Sequence, residues 1–444
     1  MTAYDYDVLY LGAGHGAFDG APLLAQAGKK VAFVEKEKVG GTCPNWGCNA
    51  KVILENAVSL QRELRASNGI VSGSGDIDWT KNMARKKEII AIFPNAIQGG
   101  MEELGIKFYF GAGRLADAHT VTIGDQTVTA ENIVIATGMH SNRLDIPGAE
   151  YLHDSKDFLS LDQAPDKMVI IGAGYIGLES AAMMNAAGVA VTVILRSDRA
   201  LPEFNQRYSD ALVQALEKQG ITFVKNSQTE SVEQVTSGFA VKTSTGTYEA
   251  DYVMDATGRT PNTADLGLED LGIKFDKAGI TVNEYLQTAV PNIYATGDVV
   301  KKTQPKLTPT ATFESQYVAK RLLGQDDKVI NYPAIGTTVF TTPRLAQAGV
   351  TLDEAAAHPD QYDVVEKDVM DDWYRMVDYE KEGHLSLIYD KEKHLVGAIE
   401  ISEHAEDIIN ALLPAIEFAY TPAQLSRLVT IFPTIGYSAI GDLL

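Results

Sequence analysis

The chain has 444 residues, 45% of them hydrophobic and 22% charged, the mix of an ordinary globular protein of about two to four domains. A formal net charge of −21 leaves no basic stripe to release counterions, which argues against nucleic acid as the main partner. The sequence has no run of about 18 apolar residues that could span a bilayer, no basic segment precedes an apolar one at the N-terminus, and two cysteines cannot staple a chain this long, so the expected setting is cytoplasmic.

Residues 6–11 read as a strand, Gly12-Ala13-Gly14-His15-Gly16-Ala17 as a G-x-G-x-x-G/A loop, residues 21–27 as helix, and residues 31–35 as a second strand ending in an acid. Glycines let the backbone approach a pyrophosphate, and the helix behind offers unpaired N–H groups. Glu35, 23 residues after Gly12, is placed to accept both ribose hydroxyls and to repel a 2′-phosphate; a solvated strand end is its plainer reading. Cys43 and Cys48 follow, in Gly40-Gly41-Thr42-Cys43-Pro44-Asn45-Trp46-Gly47-Cys48, ahead of a helical pattern. Residues five apart in an ideal helix have Cα atoms roughly 8–9 Å apart, whereas a disulfide needs about 4.4–6.8 Å. A bond here therefore requires a distorted helical start, which Pro44 and Gly47 make feasible. The helix N-terminus would favour a thiolate. Two cysteines with no nearby histidine are half a zinc site at most, so no metal site is expected; two buried free thiols are the remaining alternative.

Residues 133–138 and 253–258 each read as a strand entering a Thr-Gly turn, and residues 292–298 end in Asp298. The nucleotide unit recurs: strand 168–171, then Gly172-Ala173-Gly174-Tyr175-Ile176-Gly177, a helix through Ala186, and strand 190–195. Leu195 stands where the first unit has its acid, and Arg196-Ser197-Asp198-Arg199 follows. Arginine there can pair with a 2′-phosphate, which favours NADP(H) over NAD(H); a basic loop without a ligand is the alternative. From about residue 330, strands such as 394–401 alternate with a helix over 405–418, and no Gly-rich loop appears. The apolar run 408–413 suits either a partner-facing helix or a buried core helix. The expected fold is α/β: two doubly wound, Rossmann-like dinucleotide-binding domains plus a C-terminal α+β domain.

With Gly-Gly-Thr-Cys, Gly-Tyr-Ile-Gly-Leu-Glu, Gly258-Arg259-Thr260-Pro261-Asn262 and Ala295-Thr296-Gly297-Asp298 all in order, the chain resembles the FAD-dependent pyridine nucleotide–disulfide oxidoreductases, the family of glutathione reductase, dihydrolipoamide dehydrogenase and mercuric reductase. The resemblance implies an FAD-binding domain over 1–146, an NAD(P)H-binding domain over 147–262, a central return to the FAD domain over 263–329, and a dimerisation domain over 330–444 that makes a homodimer. It implies that Gly12, Gly14 and Glu35 hold the ADP half of FAD, Thr42 its phosphates and Asp298 the ribityl chain, and that the helix near Thr308 points at the isoalloxazine. Cys48 would be the flavin-proximal thiolate and Cys43 the interchange thiol, with Lys51 near the flavin paired to Glu179, and Tyr175 covering the nicotinamide pocket. The expected cofactor set further includes Ala112, Thr137, Gly138, Gly172, Gly174, Gly177, Arg196, Arg199 and Gly258. Electrons would pass from NADPH through FAD to Cys43–Cys48 and on to a small disulfide. The alternatives are metal-ion or quinone reduction, an NAD(P)H oxidase, or a non-catalytic flavin redox sensor.

One departure stands out. The His-Pro-Thr and later glutamate of the glutathione and dihydrolipoamide enzymes are here Phe432-Pro433-Thr434 and Tyr437. Positioned acid–base catalysis contributes about 10²–10⁴-fold, so its loss favours acceptors that need no protonated leaving group, with Tyr437 as the substitute donor. Mercuric reductase is similar in having Phe-Pro here, but it adds a C-terminal cysteine pair that the segment Gly441-Asp442-Leu443-Leu444 lacks.

Overall fold

Alternate side chains of a strand point to opposite faces of its sheet, and on the strand Tyr6–Leu11 both faces are dry. Val8 and Tyr10 join Phe33, Val134, Leu24 and Val318 in one buried cluster. Leu9 and Leu11 join Ala32, Val34, Ile133 and Ile135 in another. Burial on both faces explains the unbroken apolar runs and fits a parallel sheet covered on both sides. The computed structural model describes residues 4–443 apart from 68, 378 and 381.

The described chain divides into two compact units. The first comprises residues up to Ile53, Ala84–Asn142 and Arg259–Asn331. Its parallel strands run in the order Lys107–Phe110, Val31–Glu35, Tyr6–Leu11, Gln126–Ile135 and Ile293–Ala295, with Leu9 opposite Ala32 and Ile133. Thr120–Ile123 and Gly113–Leu115 extend it antiparallel from Gln126–Ile135. Ala21–Gln26 agrees with the expected 21–27 helix to within one residue, but the helix behind the loop is split, with His15–Phe18 standing apart from it. The reason is close packing: a Cβ on Gly20 would lie 2.2 Å from the Ser315 carbonyl oxygen on the helix Thr308–Leu322.

The second unit comprises Leu54–Met83, Arg143–Gly258 and the chain from Tyr332 onward. Its parallel sheet has the order Thr222–Val224, Ala190–Ile194, Lys167–Ile171, Tyr252–Asp255. A three-stranded meander, Thr229–Val235, Gly238–Thr243 and Gly246–Ala250, packs Val232 and Val241 against Val169, Ile194 and Val253. A five-stranded antiparallel sheet runs Thr337–Val339, Arg344–Gly349, Leu395–Ser402, His384–Asp390, Tyr362–Asp368. The helix Ala405–Phe418 lies on it, with Ile408, Ile409 and Leu412 buried against Leu385, Leu387 and Ala398. The core reading of the run 408–413 therefore holds, and these side chains are not a partner-facing surface. Two doubly wound sheets and a C-terminal α+β portion are the architecture expected from the two Gly-rich loops.

Candidate active site

In the first unit, Gly12 has φ +104°, and a Cβ there would lie 2.4 Å from the Ala136 carbonyl oxygen, so only glycine can turn the strand into the loop. Gly14 caps the helix His15–Phe18, and a Cβ on Gly41 would come 3.0 Å from its Cα. The two glycine segments thus touch, and Thr42 starts the next helix beside them. Glu35 is 8% exposed at its strand end. Its Oε2 accepts from the Ala13 N–H at 2.9 Å and its Oε1 from the Glu37 N–H at 2.8 Å, which leaves a second lone pair on each oxygen. The Gly111 N–H donates to the Glu35 carbonyl at 2.9 Å, bringing exposed Ala112 alongside. The Thr137 hydroxyl donates to the Asn262 carbonyl at 2.8 Å, next to Gly138 with φ +68°.

Asp298 sits in the turn Gly297–Val299. Two residues that sequence reasoning missed hold this turn. Glu314 accepts from the Gly297 N–H and from Lys302 Nζ, both at 2.6 Å, and the Glu314 and Lys302 side chains are 0% and 4% exposed. In sequence, Lys302 looks like half of a solvated lysine pair and Glu314 like a polar helix residue. No local spacing marks either one.

Gly47 breaks the chain between the helices Thr42–Trp46 and Cys48–Ala66, with φ −140° and ψ −123°. A Cβ there would lie 3.0 Å from the Thr42 oxygen and 3.2 Å from Cys43 Cα, so glycine lets the chain double back onto Cys43. This is the interrupted helical start that a five-residue spacing needs. The sulfurs are unbonded free thiols, Cys43 half-buried and Cys48 exposed. The Cys43 S–H donates to Cys48, and that bond, with help from the Thr308 hydroxyl 3.4 Å away and the Lys51 ammonium, lowers the Cys48 pKa to about 5 against an opposing desolvation. The same bond, with burial, pushes Cys43 up. Cys43 also donates to Asn49 Oδ1 at 3.8 Å.

The titration has a definite sign. Cys48 is depressed, so its charge persists as pH falls until about 5, while raised Cys43 keeps its proton above the ordinary thiol range. In the dithiol chain, ultraviolet thiolate absorbance should grow in around pH 5 with an amplitude of one sulfur. A single midpoint near the ordinary thiol value would contradict the shared-proton arrangement.

In the second unit, Gly172 has φ +108° and a Cβ there would lie 2.5 Å from the Ala256 oxygen, while one on Gly177 would lie 2.2 Å from the Gly172 oxygen. Gly174 faces open space, with nothing within 4 Å. Tyr175 begins the helix Tyr175–Ala186, its ring 5.7 Å from Phe204, and burial pushes its hydroxyl up to about 12. Glu179 is 4% exposed and accepts from the Phe340 N–H at 3.0 Å. The two arginines part company. Arg196 is exposed, whereas Arg199 donates to the Phe204 carbonyl and lies 4.0 Å from Asp353 Oδ2. Gly258, at φ +137°, follows Thr257, whose N–H and hydroxyl both donate to Asp255.

Near the C-terminus, Tyr437 lies on the helix Ile435–Gly441, capped by Thr434. Its ring is 5.0 Å from Phe432, which is itself 6.1 Å from Trp373, a residue the sequence reading passed over. All three are exposed. Among the described residues, no group of three or more His, Cys, Asp or Glu is arranged to hold a metal ion, and no helix is long and apolar enough to cross a membrane.

Residues 6–315 match the family described as pyridine nucleotide-disulphide oxidoreductase, and residues 335–439 match that family's dimerisation domain. A dihydrolipoyl dehydrogenase of Bacillus subtilis is 33% identical over 97% of this chain and 94% of its own. A glutathione reductase of Nostoc sp. is 30% identical over 97% of this chain and 98% of its own. Among solved structures, the HOCl-induced flavoprotein disulfide reductase RclA from Escherichia coli superposes with a TM-score of 0.89 at 25% identity, covering 98% of this chain and 99% of that one.

Proposed function

Because the chain belongs to the pyridine nucleotide-disulphide oxidoreductase family, we propose that it passes electrons from NADPH through FAD to the Cys43–Cys48 pair and on to a small disulfide. The family is FAD-dependent and uses a pyridine nucleotide. The observation that carries the reading is the sulfur pair: one thiol, one thiolate, held by a broken helix and sharing one proton.

The residues present fit FAD. The Gly12–Gly14 turn leaves the loop without side chains, Glu35 keeps lone pairs for a ribose, Asp298 stands on a turn braced by Glu314, and Thr42 opens a helix at the same place. When bound, FAD supplies the two-electron carrier between nicotinamide and sulfur. The chain's own part is to keep Cys48 ionised through Cys43, Thr308 and Lys51, and to hold Cys43 as the sulfur that meets the acceptor. Gly172, Gly174 and Gly177 form the coenzyme loop in this reading, with Tyr175 over the nicotinamide and Glu179 on the same helix. The boundaries 1–146, 147–262, 263–329 and 330–444 then mark the FAD, coenzyme, central and dimerisation parts of a homodimer, whose Tyr437 stands at the donor position in the partner's site.

The coenzyme preference rests on one arginine. With Arg199 engaged by Phe204 and Asp353, Arg196 is the free candidate for a 2′-phosphate. Arg196→Ala is expected to raise the KM for NADPH by about tenfold to a hundredfold, the worth of a charge-assisted hydrogen bond, and to leave NADH unchanged. Equal effects on both coenzymes would sink the NADP assignment.

A second reading, reduction of metal ions or quinones, is favoured by Phe432 at the position where a proton-donating histidine is expected. Anaerobic NADPH titration followed by turnover with a panel of low-molecular-weight disulfides, metal ions and quinones separates the readings. Highest kcat/KM on a disulfide supports the first, and reduction with no turnover on any acceptor overturns both in favour of a sensor.

A further inference from the structure

The reduced sulfur pair holds its single proton in the unproductive place. Cys48 carries the charge and Cys43 the proton, yet Cys43 is the sulfur that must attack the acceptor under the proposed function. Position 432 supplies a phenyl ring in place of a base. Within the unit that holds the pair, however, Cys43 has a second partner. Its S–H also donates to Asn49 Oδ1 at 3.8 Å. Asn49 is half-buried and stands one residue after Cys48, at the second position of the helix Cys48–Ala66, so the helix start holds it within reach of Cys43.

A carboxamide offers an acceptor and a donor at the same reach, and rotation about its last bond exchanges them. An apolar side chain offers neither, and an ionised carboxylate offers only the acceptor.

We propose that Asn49 activates Cys43 for disulfide exchange, its amide accepting from the thiol in the resting pair and donating to the sulfur once that sulfur is a thiolate. This deepens the disulfide-reductase reading and rests on it. The S–H bond of Cys43 breaks and the proton passes to Cys48. Asn49 Nδ2–H then donates to the Cys43 thiolate. That thiolate attacks the acceptor disulfide: an S–S bond forms to Cys43, the acceptor's own S–S bond breaks, and the first thiolate leaves with the electron pair. It takes the proton held on Cys48. The restored Cys48 thiolate attacks Cys43 Sγ, closes the Cys43–Cys48 disulfide and expels the second thiolate. The pair is oxidised by two electrons, the acceptor reduced by two, and one proton and one negative charge leave with the products.

The test reads the sulfurs directly. Full-length flavoprotein is reduced with dithiothreitol, treated with iodoacetamide across a pH series, and the alkylated cysteine identified by peptide mass. Asn49→Leu should slow Cys43 alkylation by about tenfold to a hundredfold, the scale of one hydrogen bond to a charged group, and move its pH profile upward. The Cys48 thiolate midpoint should stay at or below the wild-type value, because Cys43 then donates to Cys48 alone. Asn49→Asp should be slowed like the leucine variant, and Asn49→Gln should recover part of the rate. Wild-type alkylation in Asn49→Leu would overturn the proposal. So would slowing accompanied by a raised Cys48 midpoint, the signature of a merely loosened site. A failure of every disulfide acceptor in turnover would count against the proposed function while leaving the alkylation result as it stands.

Discussion

Cys43→Ser is expected to lower NADPH-dependent disulfide reduction by about 10³-fold or more, the scale seen when a nucleophile is removed. Serine is a poor nucleophile at neutral pH and cannot form the mixed disulfide through which exchange proceeds. Cys43→Ala, unlike the serine variant with its O–H, also removes the donor to Cys48, the leading cause of its lowered pKa. Thiolate absorbance in the variant should therefore need a higher pH, with Thr308 and Lys51 left to oppose desolvation. Kinetics and spectrum are separate readouts of one sulfur. Unchanged turnover on every acceptor would transfer the chemistry away from the cysteines, as expected of an NAD(P)H oxidase.

The second large effect lies at a residue with no role in electron transfer. Glu314→Ala leaves the Lys302 ammonium with the Gly297 carbonyl but without its carboxylate, and takes the acceptor from the Gly297 N–H, in a place where both side chains of the pair are essentially sealed from water. Breaking a buried ion pair from one side costs about 3–5 kcal/mol, because the remaining charge keeps its desolvation penalty. The expected result is a fall of that size in unfolding free energy by urea titration. Weaker flavin retention should accompany it, since the turn carrying Asp298 loses its brace. Replacing both partners, as Lys302→Met with Glu314→Leu, should recover much of the stability, because no unpaired charge remains. A loss below about 1 kcal/mol in the single variant would mean that water reaches the site.

The turn at each glycine loop and the break between the two cysteines are legible locally. The Gly12 and Gly172 loops follow strands and precede helices, and at both a Cβ would strike a carbonyl oxygen. The five-residue spacing of Cys43 and Cys48 demanded a broken helix, and Gly47 supplies it. Other residues carried a signal whose use was not local. The apolar run 408–413 was consistent with two fates, and only the sheet beneath it decided for the core. Arg196 and Arg199 look interchangeable in sequence, yet Asp353, more than a hundred and fifty residues away, claims one of them. Asn49 beside a cysteine carries no signal until the chain doubles back.

The division follows from the range of the forces. Glycine loops, strand alternation and the spacing of two sulfurs depend on backbone sterics over a few residues, so the order of amino acids alone determined the family, the fold class and the close cysteine pair. Buried charges are different. Lys302 with Glu314, and Arg375 with Glu380 and Glu400 at 3.0 and 2.7 Å, are written with the same letters as solvated surface residues. Whether a charge is hydrated or must find a partner is set by which distant segments close over it, and that was decided only by the tertiary structure.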